Sequence, residues 1–207
     1  MNLAENRKAQ VVKRTFDVLF SVIGLVCFSW LICLAALLAT IDTGKNGIFR
    51  QERIGRDGRT FLINKIRTML VQQDSNTNVT AANDPRITQL GTFWRKTKID
   101  ELPQLWNVLI GDMSFVGPRP DVTGFADVLQ GRDRVILAVR PGITGLASIK
   151  FRNEEILLSK SDDPEDYNKT VIFPEKVRLN RDYIENYNFI TDIRIIFQTL
   201  LGENGQA

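Results

Sequence analysis

Between Val18 and Ile41 the chain runs 24 residues without a charged side chain. As one α-helix that run rises about 36 Å, enough to cross a hydrocarbon core of about 30 Å. It also outruns the apolar stretch of a secretory signal, about 7–15 residues, so it is expected to stay as a membrane element. Both flanks are basic: Arg7, Lys8, Lys13 and Arg14 precede the run, and Lys45, Arg50, Arg53, Arg56 and Arg59 follow it. Lysine and arginine beside a membrane segment favour the cytoplasmic face, and a simple span satisfies only one flank. A re-entrant helix, which enters the bilayer, bends and leaves by the same side, satisfies both. Residues 1–44 are therefore expected to form the anchor and 45–207 one cytosolic domain with a core of its own.

Charge is unevenly shared. Residues 1–67 carry 11 Lys/Arg against 5 Asp/Glu, and the remainder carries 16 against 19. Positive charge thus gathers around the apolar run, as a surface facing anionic lipid headgroups requires. Arg50 and Arg53 are expected to serve those headgroups. Nucleic acid is the competing partner, but neither an aromatic-interleaved basic stripe nor zinc-finger spacing supports it. Cys27 and Cys33 both lie inside the run and read as small buried hydrophobes rather than a disulfide. Histidine is absent, which excludes Ser–His and Cys–His nucleophiles and His-ligated metals. Chemistry must come from carboxylates, cations, hydroxyls or a hard metal ion.

The patterning predicts an α+β fold, mostly helical, with the N-terminal re-entrant helix and a small hairpin sheet. Gly24 and the Ser29–Trp30 pair are the candidate breaks in the apolar helix. Strands over Ile48–Ile54 and Thr60–Arg67 flank the turn Gly55-Arg56-Asp57-Gly58. Residues 71–85 are turn-rich and read as a loop. Helices follow over Gln89–Ile99 and Pro103–Ile110, then an irregular tract at Gly117-Pro118-Arg119-Pro120. Val122–Val139 reads as a further helix, closed by Arg140-Pro141-Gly142. A helix is expected to open at Pro174. The amphipathic stretch Ile190–Leu201 either packs on the core or lies on a membrane surface.

The densest chemical candidate is Arg95-Lys96-Thr97-Lys98-Ile99-Asp100-Glu101-Leu102-Pro103-Gln104-Leu105. By spacing alone, Asp100 and Glu101 read as an N-cap and a first-turn acid of the helix that follows. The alternative is a carboxylate nucleophile with a metal-binding neighbour. An aspartate that attacks phosphorus needs cations to meet the phosphate's charge. Mg²⁺ is the usual one, held by one or two carboxylates plus substrate phosphates, and arginines complete the clamp.

Phe49-Arg50-Gln51-Glu52-Arg53-Ile54-Gly55, Lys65-Ile66-Arg67-Thr68-Met69, Asn83-Asp84-Pro85-Arg86-Ile87-Thr88, the Arg95–Leu105 string, Ser114-Phe115-Val116-Gly117-Pro118-Arg119-Pro120 and Arg140-Pro141-Gly142-Ile143-Thr144-Gly145 occur in that order. In this the chain resembles the bacterial sugar transferase family, the small monotopic phosphoglycosyl transferases. The resemblance runs from about Lys13 to Leu201. It implies transfer of a sugar-1-phosphate from a UDP-sugar to polyprenyl (undecaprenyl) phosphate, with UMP released, as the first membrane step of a glycan pathway at the bacterial inner membrane. It implies Asp100 as nucleophile, forming a phosphosugar–aspartate intermediate, and Glu101 as its assistant. Glu101 would act through the Mg²⁺ shell shared with Asp100 or by positioning the acceptor. Lys65, Arg86, Arg95 and Arg119 would hold phosphates or other parts of the substrate. Asp182 matches a C-terminal family carboxylate, either structural or site-supporting. Members commonly carry Ser-Pro in the membrane helix, and here the pair is Ser29-Trp30, so a bend must arise without proline. The rival readings are a lipid-phosphate phosphotransferase or hydrolase using the same aspartate, and a non-enzymatic membrane-surface scaffold.

Overall fold

The computed structural model describes residues 2–71 and 84–202. Most of the 71–85 loop therefore lies outside the described residues. Helix α1 (Arg7–Thr43) is one uninterrupted α-helix of 37 residues, opened by Asn6, whose side chain accepts from the Ala9 amide. No break occurs at Gly24 or at Ser29–Trp30, so any change of direction is a bend within a hydrogen-bonded helix. Gly24 serves packing instead: a Cβ there would stand 3.0 Å from Leu105 Cδ1.

Both ends of α1 rest on the same globular body. Ala9, Lys13, Asp17 and Ser21, then Ala35, Ala39 and Thr43, are buried at four-residue steps, which is one helix face. Ahead of α1 the Leu3 amide donates to the Ile184 carbonyl at 2.8 Å. Toward its end Ala35 and Ala39 pack with Ile66 and Trp94. Two ends held by one body cannot stand on opposite sides of a bilayer. The middle turns are bare: Val26 is 73% exposed and Trp30 64%. Cys27 and Cys33 are exposed there too, contrary to the buried setting expected, because the apolar run faces away from the domain.

Lys13 and Arg14, read above as part of a headgroup-facing flank, are turned inward. Lys13 Nζ meets Asp192 Oδ2 at 2.5 Å, and the hydroxyls of Tyr183 and Tyr187 donate to the same carboxylate at 2.6 and 3.1 Å. Asp17 accepts from Ser114 Oγ and the Phe115 amide, both at 3.1 Å. The Arg14 guanidinium donates to the carbonyls of Val108 (2.6 Å) and Leu109 (2.7 Å). A cation at the carboxyl end of a helix is favourably placed, and that helix is the one that follows the carboxylate pair.

Strands β1 (Ile48–Ile54) and β2 (Thr60–Ile66) pair antiparallel, with Ile48 opposite Ile66 and Ile54 opposite Thr60. The expected turn joins them, with Asp57 in the left-handed region at φ 60°. Helices α2 (Gln89–Thr97) and α3 (Gln104–Ile110) follow as expected. A second sheet was not expected: β3 (Ser114–Val116) runs parallel to β4 (Gly142–Thr144), with Val116 opposite Thr144. The two chains meet so closely that a Cβ on Gly142 would lie 2.2 Å from the Gly117 nitrogen. The Gly142 amide donates to the Pro118 carbonyl at 2.8 Å, which holds the Pro118–Pro120 loop in place. Gly142→Ala is expected to cost about 1–3 kcal/mol by overpacking, read as a lower midpoint in thermal unfolding.

Between the strands of that sheet, Val122–Val139 is not the α-helix expected from its apolar spacing. It forms 3₁₀ turns over Ala126–Val128 and Gly131–Ala138. Gly124 (φ 95°) and Gly131 (φ 59°) adopt left-handed backbone that a continuous helix excludes. Ile136, Leu137 and Val139 still reach the core. Short helices α4 (Leu146–Lys150), α5 (Glu154–Leu158) and α6 (Pro164–Tyr167) lead into a π turn at Asn168–Ile172 and then α7 (Phe173–Glu185), which carries Pro174 in its first turn. In α8 (Phe189–Leu201) Asp192 and Ile195 are buried, whereas Ile190, Phe197, Leu200 and Leu201 are exposed.

Candidate active site

Helix α2 ends at Lys98, a left-handed residue at φ 60°. That reversal throws Ile99-Asp100-Glu101 into a 3₁₀ turn, held by the Glu101 amide on the Lys98 carbonyl at 3.1 Å. Leu102 and Pro103 continue right-handed into α3. The capping explanation for Asp100 does not hold: Pro103 occupies the cap position of α3, and no side chain caps it. Asp100 is only 8% exposed, and its Oδ1 is buried without a hydrogen-bond partner. Buried acceptors are nearly always satisfied, so an orphan here calls for a missing ligand or a functional role.

Its neighbour is the opposite case. Glu101 Oε1 accepts from Arg119 Nη2 at 3.0 Å and faces Lys65 Nζ at 3.7 Å. Lys65 comes from the end of β2, and Arg119 from the loop clamped between β3 and β4. Burial alone would raise the Glu101 carboxyl, but Arg119, Lys65 and Lys98 overcome it and hold it at about 2. Asp100 moves upward, driven by burial and then by the Glu101 charge, against the pull of Lys65, Lys98 and Arg95. The two adjacent carboxyls are thereby pushed in opposite directions. Glu101 is a fixed anion already spent on cations; Asp100 is the more basic and unengaged one. Lys65 is lowered to about 8 by burial and by Arg119, against the attraction of Glu101 and Asp100.

Of the residues predicted from sequence, Asp100, Glu101, Lys65 and Arg119 converge, and Arg95 acts on Asp100 from the end of α2. Arg86 grips Asp84, Nε to Oδ1 at 2.9 Å and Nη2 to Oδ2 at 2.6 Å. Asp84 also feels Arg95, the residue that acts on Asp100. Asp182 sits elsewhere, on the flank of α7 with Arg178 at 3.0 Å. Arg53 is not spread toward headgroups as expected; its Nη1 and Nη2 reach the Pro120 carbonyl (3.4 Å) and Gln51 Oε1 (2.7 Å). There it acts on Asp121, whose carboxyl is pushed up to about 6 by burial against the pull of Lys176 and Arg53. Sequence reading passed over Asp121, although it directly follows the Pro118-Arg119-Pro120 tract.

The site is a buried carboxylate with an unpartnered oxygen beside a second one paired to cations, on a body that also holds both ends of an apolar helix long enough to cross a membrane. Comparison with known families matches residues 8–203 to "Bacterial sugar transferase", and the chain belongs to that family. It is 34% identical over 197 residues to the UDP-glucose:undecaprenyl-phosphate glucose-1-phosphate transferase of Escherichia coli K12, covering 92% of this chain and 40% of that protein. It is 36% identical over 214 residues to the undecaprenyl-phosphate galactose phosphotransferase of Salmonella typhimurium, covering 96% and 41%. The exopolysaccharide production protein ExoY of Rhizobium meliloti is 32% identical over 206 residues, covering 92% and 84%. The chain thus spans about two fifths of the length of some relatives and most of others.

Proposed function

We propose that this protein transfers a sugar-1-phosphate from a UDP-sugar to a polyprenyl phosphate at the cytoplasmic face of the bacterial inner membrane. The observation that carries the reading is Asp100: a buried carboxylate with an orphaned oxygen, beside cations that already hold its neighbour. In the first step an Asp100 oxygen bonds to the sugar-linked phosphorus, and the phosphorus–oxygen bond to UMP breaks, UMP leaving with the electron pair. In the second, a phosphate oxygen of the lipid attacks the same phosphorus and Asp100 leaves as carboxylate. This is a ping-pong sequence. Lys65, Arg95 and Arg119 steady the phosphate oxygens. The fastening of α1 to the domain keeps Asp100 at the depth where a lipid phosphate lies.

The residues fit a Mg²⁺ ion held by Asp100 together with substrate phosphates, since one carboxylate plus phosphates and water is a normal Mg²⁺ environment. Glu101 is less available, its oxygen being engaged by Arg119 and Lys65. When bound, the ion supplies neutralisation of the diphosphate. Among the described residues there is no group of three or more candidate metal-ligating side chains. Chelation with EDTA is expected to lower turnover by at least about a hundredfold, restored by added Mg²⁺ and measured as UMP release.

The test of the reaction is a panel of UDP-sugars with undecaprenyl phosphate in detergent. Multiple-turnover UMP release that requires the lipid, with at most one UMP per enzyme in its absence, supports the proposal; brisk UDP-sugar hydrolysis without lipid identifies a hydrolase instead. The basic limb of the rate profile is a second check. Lys65, lowered to about 8, loses its phosphate-holding charge as pH rises through that value, so kcat/KM should decline there. Lys65→Arg, which stays charged, should move that decline upward by about one pH unit or more.

A further inference from the structure

Asp100 precedes α3; at the opposite end of that helix, arginines collect with too few acids to balance them. A cavity of about 310 Å³ has Arg14, Arg56 and Arg140 among its lining residues. Arg14 comes from α1, Arg56 from the turn between β1 and β2, and Arg140 from the stretch that leads into β4. Each is half-buried. Asp100, Glu101, Lys65 and Arg119 do not line this cavity, so it is a second place where positive charge gathers.

Two of the three meet at Gly111, just past α3. A Cβ placed there would lie 3.4 Å from Arg14 Nη2 and 3.8 Å from Arg140 Nε. Backbone carbonyls hold these two guanidiniums: Arg14 donates to Val108 and Leu109, and Arg140 Nε donates to Gly111 at 2.8 Å. A carbonyl fixes the direction of a guanidinium but leaves its charge in place. Arg56 Nε is buried with no hydrogen-bond partner, and its ion pair is with the adjacent Asp57, at 3.7 Å. The other charges on the lining do not balance the set. Lys13 is matched by Asp192, and Asp17 already accepts from Ser114 and Phe115. Arg140 carries the consequence: burial, then Arg14 and Arg56, push its pKa down against the pull of Asp17. Half-buried like charges repel one another, and an anion placed among them removes that cost.

Guanidinium forks suit the oxygens of a phosphate, which accept paired, charge-assisted hydrogen bonds. Lys13, Arg14 and Asp17 also stand directly ahead of the uncharged run that begins at Val18. For a helix that enters a bilayer there, this is the level of the lipid headgroups. We propose that the Arg14–Arg56–Arg140 cavity is a phosphate-binding site separate from the Asp100 centre, taking the phosphate of an anionic lipid headgroup or a soluble phosphate. Its occupant neutralises the guanidiniums and joins α1, the hairpin turn and the approach to β4 through one anion.

The experiment reads the thermal midpoint of wild type, Arg56→Gln and Arg140→Gln, each as the full chain in dodecyl maltoside at constant ionic strength. One arm adds inorganic phosphate in place of chloride. The other adds phosphatidylglycerol, with diacylglycerol, which lacks the phosphate, as its blank. Wild type should gain about 2–5 °C from at least one addition, as a ligand of the folded state confers. The gain should fall by about half or more in each variant. A gain from phosphatidylglycerol alone identifies the lipid as the source; a gain from inorganic phosphate identifies a site open to soluble phosphates. Both variants leave Lys65, Asp100, Glu101 and Arg119 in place, so phosphate bound at the Asp100 centre cannot account for the loss. With neither addition, Arg56→Gln should melt at the wild-type temperature or above it, because a like charge has been removed. Three results overturn the proposal: no gain in wild type from either addition, a gain of wild-type size in either variant, or an Arg56→Gln protein that melts lower with neither added.

Discussion

Asp100→Asn should abolish sugar-phosphate transfer, lowering lipid-dependent UMP release by at least about a thousandfold, as removal of an enzyme's nucleophile does. The substitution keeps the side chain's shape, so the loss reports chemistry rather than collapse of the turn. The structure strengthens that separation. Burial and the Glu101 charge both push the Asp100 carboxyl upward, so the charged form is the strained one. A neutral amide at that position relieves the repulsion, and the variant should unfold at the wild-type temperature or slightly above it. Intact mass after UDP-sugar should show no phosphosugar adduct. An Asp100→Asn protein that turns over near the wild-type rate would sink the nucleophile assignment.

The second large effect is on stability. Lys13→Met leaves the Asp192 carboxylate buried without its cation, with the two tyrosine hydroxyls as its remaining side-chain donors among the described residues. Removing one partner of a buried pair costs about 3–5 kcal/mol, a large share of the roughly 5–15 kcal/mol that holds a typical domain together. The single variant should therefore denature at markedly lower denaturant in detergent or precipitate on expression. Replacing both partners, as Lys13→Met with Asp192→Asn, should recover most of the loss, because the stranded charge is gone. Equal stability of wild type and Lys13→Met would show that the contact contributes nothing. The effect reaches function as well. Lys13, Arg14 and Asp17 tie α1 to α8, to the end of α3 and to β3, so loosening them frees the domain from the long apolar helix, which in the proposed reaction holds Asp100 near the lipid phosphate.

The extent to which sequence disclosed this fold varies by element. The β1–β2 hairpin was legible because strand alternation and turn residues are both local. Helices α2 and α3 were legible for the same reason. The stretch 122–139 was not: its apolar spacing fits an α-helix, but the left-handed backbone at Gly124 and Gly131 decided for 3₁₀ turns. The parallel β3–β4 pair was invisible because three-residue strands carry no period, and their pairing is set by the close approach of Gly117 and Gly142. In the site, Asp100 and Glu101 stood out as a pair and the resemblance implied separate roles; what spacing could not show is that Asp100 keeps an unpartnered oxygen while Glu101 is paired to Arg119 and Lys65.

A long apolar helix, a hairpin and a carboxylate pair in a cationic string follow from the order of residues alone, because period, turn chemistry and neighbouring charge act over a few residues. The fate of each charge does not follow from it. Lys13 and Arg14 read as a headgroup-facing flank and proved to be fasteners to the domain; Arg53 read the same way and proved to hold the Pro120 carbonyl and Gln51. Glu101 is quieted by Arg119, 18 residues on, and Lys13 by Asp192, 179 residues away. Burial and a partner distant in sequence decide whether a charge is solvated, spent or reactive, and both are properties of the packed chain.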